Sequence, residues 1–209
     1  VLMLHNHLPT IVSNQHIKKY EQLYGTPISS STIIIVGTGS LGGAAARLLE
    51  SFGPKIIGVN RRGNFVKGCS EIVTVDKLDS VLPYADILYL ALPATPETFG
   101  IIDRRRLNLL KYSCGIVNVG RQSALDYQAL SEMLKAGRLA GAILDVFTPE
   151  PIVSSSPLWT VPNLIITPHV SSDDPENYIP LTLKLFLSNL ERFLSNKQLI
   201  NQVDKKLGY

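Results

Sequence analysis

The run Gly37-Thr38-Gly39-Ser40-Leu41-Gly42 has the glycine spacing of a loop that can cradle a pyrophosphate. It follows directly on the apolar run Ile33 to Val36 and opens directly into a helical pattern. In that setting Gly37 permits a tight turn and Gly39 lets backbone approach a phosphate. Gly42 lets helix and strand pack closely, with the anion at the helix N-terminus. The competing reading is a glycine turn with a packing role alone. Cofactor choice would be read at the end of the second strand, where a carboxylate about 20 residues on accepts hydrogen bonds from the adenosine ribose. That place holds Asn60, Arg61 and Arg62. With no carboxylate to repel a 2′-phosphate and two guanidiniums able to pair with one, NADP is expected in preference to NAD. Against this stands the reading of both arginines as solvated surface charges.

Three further segments each carry an ionisable residue just past a strand candidate, on the edge where open α/β sheets bind ligands. They are Arg121 in Asn118-Val119-Gly120-Arg121, Glu150 in Asp145-Val146-Phe147-Thr148-Pro149-Glu150-Pro151, and His169 in Thr167-Pro168-His169. Singly, each has an ordinary explanation: a surface ion pair, a solvated carboxylate between prolines, a turn-capping imidazole. The histidines, His5, His7, His16 and His169, show no chelating pattern with carboxylates or thiols, so no metal is expected. The first three read as surface or packing residues.

The elements that must position these groups alternate short β-branched runs with helical patterns, as parallel strands joined by helical crossovers do. Strands are predicted over Ile33 to Gly37, Lys55 to Val59, Glu71 to Val75, Ile87 to Leu92, Gly115 to Val119, Ala140 to Val146 and Leu164 to Thr167. Several are apolar on both faces, which predicts a sheet covered on both sides. Helices are predicted over Leu41 to Phe52, with Leu41, Ala45, Leu48, Leu49 and Phe52 as the apolar positions, over Arg104 to Lys111 and over Asp126 to Ala136. Thr10 to Tyr24 reads as a polar, partly amphipathic helix. Ile179 to Leu194 reads as another, with Leu183, Phe186, Leu187, Leu190 and Leu194 on one stripe. A stripe that apolar calls for a partner surface.

Composition bounds the remaining classes. With 209 residues, 45% hydrophobic and 18% charged, the chain can bury one substantial core, or a core with a smaller lobe, and is not a disordered protein. Twenty Lys and Arg against seventeen Asp and Glu, a net charge of +3, leave no nucleic-acid footprint. No stretch reaches the roughly 18 apolar residues of a membrane span, and the start has no signal-peptide pattern. Two cysteines, Cys69 and Cys114, are too few for a disulfide scaffold, so a reducing cytoplasmic setting is expected. The Val1 start suggests a processed chain, an expressed fragment or a domain cut from something longer.

Taken together, the glycine loop, Leu92-Pro93-Ala94-Thr95-Pro96-Glu97-Thr98, Asn118 to Arg121, Asp145 to Pro151 and Pro168-His169 resemble, in order and spacing, the D-isomer-specific 2-hydroxyacid dehydrogenases, the glyoxylate/hydroxypyruvate reductase branch most closely. The resemblance runs from about Ser29 to Ser172, with a weaker echo in the C-terminal helix and Asn201 to Tyr209. It implies a Rossmann-type doubly wound parallel sheet with helices on both faces and a catalytic trio of Arg121, Glu150 and His169. It also implies that Asp145 orients the nicotinamide amide, that Ser40 and Leu41 offer backbone to the pyrophosphate, and that Leu92, Pro93, Thr98 and Val119 line the cofactor cleft. Those residue types suit reduction of a small 2-keto acid. An imidazole near its ordinary pKa of ~6.5, kept protonated by a neighbouring carboxylate, can give a proton to the developing alkoxide, and a planar guanidinium can hold the substrate carboxylate.

By the same resemblance, residues 1–28 form a crossover helix and loop that reaches across a homodimer, residues 29–173 the NAD(P)-binding domain, and residues 174–209 a C-terminal helix left from a substrate domain whose first part is missing. Two departures stand out: Gln122 replaces the usual glycine after the arginine and could crowd or re-aim Arg121, and the segment after His169 reads Val170-Ser171-Ser172-Asp173-Asp174. The alternative to an oxidoreductase is a nucleotide-sensing or corepressor-like binding module on the same fold, or an inactive cofactor-domain fragment.

Overall fold

The computed structural model describes residues 1–172 and 174–205. The chain divides into two compact units, Val1–Pro168 and His169–Tyr209. Where the sequence suggests boundaries after residues 28 and 173, the first unit takes in the N-terminal segment and ends at Pro168.

The first unit is built on β1 (Thr32–Val36), β2 (Lys55–Asn60), β3 (Glu71–Thr74), β4 (Ile87–Leu90), β5 (Gly115–Asn118), β6 (Gly141–Leu144) and β7 (Leu164–Ile166). They form one sheet in the order β3-β2-β1-β4-β5-β6-β7, and each neighbouring pair is parallel. This is the doubly wound arrangement of the Rossmann type, extended by a seventh strand. Each strand read from the sequence is present, its ends moved by a residue or two. The residues lost at the carboxyl ends still continue the ladder, since Ala91 N donates to Val36 O (2.9 Å) and Asp145 N to Asn118 O (3.0 Å).

Helices α1 (Leu2–His5), α2 (Leu8–His16), α3 (Ser40–Glu50), α4 (Leu78–Val81), α5 (Arg104–Leu107) and α6 (Tyr127–Lys135) complete this unit. Alternate residues of the sheet enter two separate cores. Ile34, Val36, Leu88, Leu90, Ile116 and Leu144 pack with Leu78, Leu107, Leu130 and Leu134 on one face. Ile33, Ile35, Ile56, Val117 and Ile143 pack with Leu4, Ala46 and Leu49 on the other. Both faces of the sheet are covered, as expected for parallel strands. Cys114 is buried and Cys69 half-buried; burial pushes the Cys114 thiol up to about 12.

Several local expectations change. The helix read over Thr10 to Tyr24 is instead α2, which starts earlier with Pro9 in its first turn and ends at His16. Lys18 is left-handed at φ 56°, and Ile17, Tyr20 and Tyr24 stay exposed, so no apolar face carries the helix onward. In α3 the buried positions are Gly42, Gly43, Ala46 and Leu49. Leu48 and Phe52 are exposed, because the helix turns the face of Gly42, Ala46 and Leu49 to the sheet and they lie off it. The pattern over Arg104 to Lys111 keeps only the short α5, capped by Asp103, whose carboxylate accepts from Arg106 N. It then tightens into three-residue turns as Leu109 N and Leu110 N bond to Arg106 O and Leu107 O.

The second unit is dominated by α7 (Tyr178–Leu194). Asn189 and Arg192 hold the following tail through Ile200 and Gln198. None of the residues of α7 is buried, and its stripe of Leu183, Phe186, Leu187, Leu190 and Leu194 is exposed along its length. Asp173 and residues 206–209, which the sequence reading includes in its last segments, lie outside the described residues. Among the described residues no helix is long and apolar enough to cross a membrane, and no cluster of His, Cys, Asp or Glu could hold a metal ion.

Candidate active site

β1 lies between β2 and β4, so successive crossovers leave it in opposite directions and open a crevice at its carboxyl end. The glycine run forms the floor of that crevice. Gly37 is left-handed at φ 92°, and a Cβ there would stand 2.6 Å from Ala91 O. A Cβ on Gly42 would stand 1.9 Å from Gly37 O, whereas one on Gly39 would meet nothing within 4 Å. Gly39 caps α3 without any side-chain bond, so the first amides of the helix, from Ser40, Leu41 and Gly42, are left for an external acceptor. A tight, side-chain-free cradle with open space over Gly39 and a helix N-terminus behind it fits a dinucleotide pyrophosphate.

At the end of β2, Asn60 is engaged by the protein. Its amide nitrogen donates to Thr38 Oγ1 and Asn64 O (both 3.0 Å), and its oxygen accepts from Arg62 N (3.1 Å) and Gly63 N (2.7 Å). The residue thus ties the glycine loop to the turn that carries Arg61 and Arg62, both exposed. Across the crevice, Leu92, Pro93 and Val119 are half-buried. A Cβ on Gly120 would stand 2.5 Å from Leu92 N, so the loops after β4 and β5 touch backbone to backbone. The Thr98 hydroxyl donates to Pro93 O (2.6 Å) and accepts from Thr95 N (2.9 Å), which closes this loop on itself.

Arg121 follows β5 directly, and its guanidinium donates to Gly120 O (2.7 Å). Glu150 follows β6, and its carboxylate accepts from Phe147 N at 2.5 Å. Between them lies a buried polar network. Asn118 donates to Arg121 O (3.1 Å) and to the Tyr127 hydroxyl (3.2 Å), and accepts from Gly120 N (3.1 Å). The Tyr127 hydroxyl donates in turn to Val146 O (2.7 Å). Burial pushes the Tyr127 phenol above its usual range, so it stays protonated. Asp145 is buried and accepts from the Thr167 hydroxyl at 2.5 Å. Burial, and secondarily the Asp145 charge, raises the Tyr89 phenol on β4.

Arg121, Asp145 and Glu150 therefore stand on adjoining strand ends of the first unit, while His169, left-handed at φ 56°, is the first residue of the second. Gln122 begins a single turn over Gln122–Ala124 and lines a groove with Tyr127, Gln128, Phe147, Thr148 and Pro149. His7 and His5 line a groove of about 390 Å³ at the amino ends of the strands, far along the sheet from the glycine loop. Sequence reading passed over Tyr127 and Thr167. Tyr127 reads as one more apolar position of an amphipathic helix, and nothing local reports that its hydroxyl meets β5 and β6.

Comparison with known proteins gives the family and the fold. Residues 1–171 match the family model described as D-isomer specific 2-hydroxyacid dehydrogenase, NAD binding domain. A glyoxylate reductase of Thermofilum pendens is 36% identical over 152 residues, covering 72% of this chain and 44% of that protein. A D-isomer specific 2-hydroxyacid dehydrogenase from Xanthobacter autotrophicus, solved in complex with NADPH and MES, superposes with a TM-score of 0.88 at 30% identity, covering 100% of this chain and 85% of that one. An NADPH-dependent glyoxylate/hydroxypyruvate reductase from Sinorhizobium meliloti, solved with NADP and sulfate, gives 0.89 at 30% identity, covering 100% and 66%. The chain spans 30% to 59% of the length of the curated relatives it matches.

Proposed function

The chain belongs to the D-isomer specific 2-hydroxyacid dehydrogenase family, and on that premise we propose that it serves the reduction of a small 2-keto acid, of the glyoxylate or hydroxypyruvate kind, to the 2-hydroxy acid. The balance is keto acid, NADPH and a proton in, hydroxy acid and NADP⁺ out. The observation that carries the reading is the juxtaposition, in one unit, of a side-chain-free phosphate cradle with Arg121 and Glu150 on neighbouring strand ends.

In this reading the amides opening α3 hold the pyrophosphate, Arg61 and Arg62 take the 2′-phosphate, and Asn60 acts by shaping their turn. The side chain of Asp145, fixed by Thr167, accepts from the carboxamide of the nicotinamide. Bound there, the reduced nicotinamide supplies the hydride that the carbonyl carbon receives. Arg121 turns its fork to the substrate carboxylate and carbonyl oxygen, an orientation that lowers the barrier by several kcal/mol, on the order of 7 at the favourable limit. His169 gives its proton to that oxygen as it becomes the hydroxyl and recovers one from solvent.

The test is to mix the protein with NADPH and glyoxylate or hydroxypyruvate and follow nicotinamide absorbance. Oxidation is expected. NADPH binding without oxidation, across both keto acids, would replace this reading with a nucleotide-sensing module.

A further inference from the structure

We propose that Tyr127 is a positioning residue that fastens the Arg121 loop and the Glu150 loop into one piece, an inference that rests on the dehydrogenase reading above. The connection can be followed atom by atom. The Arg121 carbonyl accepts from the Asn118 amide at 3.1 Å, and the same amide donates to the Tyr127 hydroxyl at 3.2 Å. That hydroxyl donates to the Val146 carbonyl at 2.7 Å. The Tyr127 ring meets the Phe147 ring edge-on, with centroids 6.1 Å apart and planes at 79°. The Phe147 amide then donates to the Glu150 carboxylate at 2.5 Å.

The middle of this connection is shielded from water, with Asn118 at 0%, Val146 at 2%, Tyr127 at 6% and Phe147 at 8% exposure, while the bonds to Arg121 and Glu150 at its ends are part-buried. In such surroundings hydrogen bonds are strong and an unmade one is costly, so a satisfied network holds its geometry. Tyr127 is also the first residue of α6, directly after the cap in which the Asp126 carboxylate accepts from Ala129 N at 2.9 Å. The hydroxyl thus projects from a fixed helix end into the seam between two strand ends. One oxygen takes a bond from the β5 side and gives one to the β6 side. The phenol, held protonated by burial, serves here as both donor and acceptor.

Tyr127→Phe separates this role from packing, because it keeps the ring against Phe147 and removes only the bridging oxygen. For the keto acid reduction, kcat is expected to fall on the order of ten- to a hundredfold, since a small displacement of orienting groups is enough for that, while the NADPH dissociation constant stays within about twofold. Amide exchange at Gly120 and at Phe147, each bonded into the network, is expected to accelerate together. Asn118→Ala cuts the same tie from its other side and is read by the same pair of measurements. A lowered melting temperature with unchanged kcat, or exchange that speeds at only one of the two amides, overturns the proposal. If the wild-type chain turns over no keto acid, the dehydrogenase reading has failed by itself, and amide exchange still decides the tie: joint acceleration upholds it and unchanged rates refute it.

Discussion

A methyl group on the α-carbon of Gly42 would stand 1.9 Å from the carbonyl oxygen of Gly37, so helix α3 and the turn after β1 meet with no room for any side chain. Two residues after Gly37, Gly39 has φ −69° and ψ −154° and open space around it. The same spacing motif therefore contains two glycines that the fold requires, Gly37 and Gly42, and one, Gly39, around which the fold leaves space.

Gly42→Ala is expected to destabilise the protein by about 1–3 kcal/mol, the usual penalty of overpacking a tight contact, visible as a lower thermal midpoint. Gly39→Ala is expected to leave the midpoint nearly unchanged and to weaken NADPH binding at least about tenfold, because the methyl enters the space a phosphate would need. A Gly39→Ala variant that binds NADPH like the wild type would remove the pyrophosphate from this loop.

Replacing Arg61 and Arg62 together with Ala should weaken NADPH binding by about tenfold or more and leave NADH binding close to its starting value, as expected when a charge-assisted bond to a 2′-phosphate is lost. Fluorescence titration with both nucleotides reads the difference. Equal weakening of the two would sink the 2′-phosphate assignment.

His169→Ala should abolish keto acid reduction while NADPH affinity stays within about twofold, since the imidazole is assigned to a proton and not to the dinucleotide. Residual turnover near the wild-type rate would take the proton-transfer role from His169.

The Asp79 carboxylate receives Arg105 at 2.5 Å and Arg106 at 2.7 Å, and these guanidiniums hold its pKa at about 2. A depressed folded-state value stabilises the fold above the unfolded carboxylate pKa of ~3.9, and that contribution is lost as pH falls toward 2. Arg105 and much of the carboxylate face solvent while Arg106 is half-buried, so the contribution is small and shrinks in salt. Urea midpoints of Asp79→Asn and wild type should differ slightly at pH 7 and converge between pH ~4 and ~2; a gap that persists below this window would show another cause.

Legibility followed the range of the interactions. Runs such as Ile33 to Val36 and Gly115 to Asn118 announce strands because burial on both faces leaves an unbroken apolar string. The glycine loop stands out because it lies directly between a strand and a helix, whereas Arg121 and Glu150 are singled out only by the order of motifs in the family resemblance. The inner face of α3 was misjudged because Leu48 and Phe52 satisfy a helical period, and only the closeness of Gly37 to Gly42 turns that face away. The helix over Thr10 to Tyr24 failed at Lys18, whose backbone sign no periodicity reports. Tyr127 was invisible for the strongest reason. Its partners Asn118 and Val146 come together only when β5 and β6 pair.

The strand order carries a mechanical consequence. β1 to β3 come from the first part of the chain and β4 to β7 from the rest, and the two sets meet along the ladder from Ile33 and Ile87 to Val36 and Leu90. A dinucleotide seated from the glycine loop to the loops after β4, β5 and β6 would lie across that join like a clasp. Binding at a hundredfold excess over the dissociation constant adds ~2.7 kcal/mol to global stability. The gain should concentrate in openings that part the halves, leaving the fraying of α2 or α7 almost untouched. Nucleotide occupancy would then be readable as a redistribution of cooperativity within the sheet, with β1 and β4 becoming the last strands to let go.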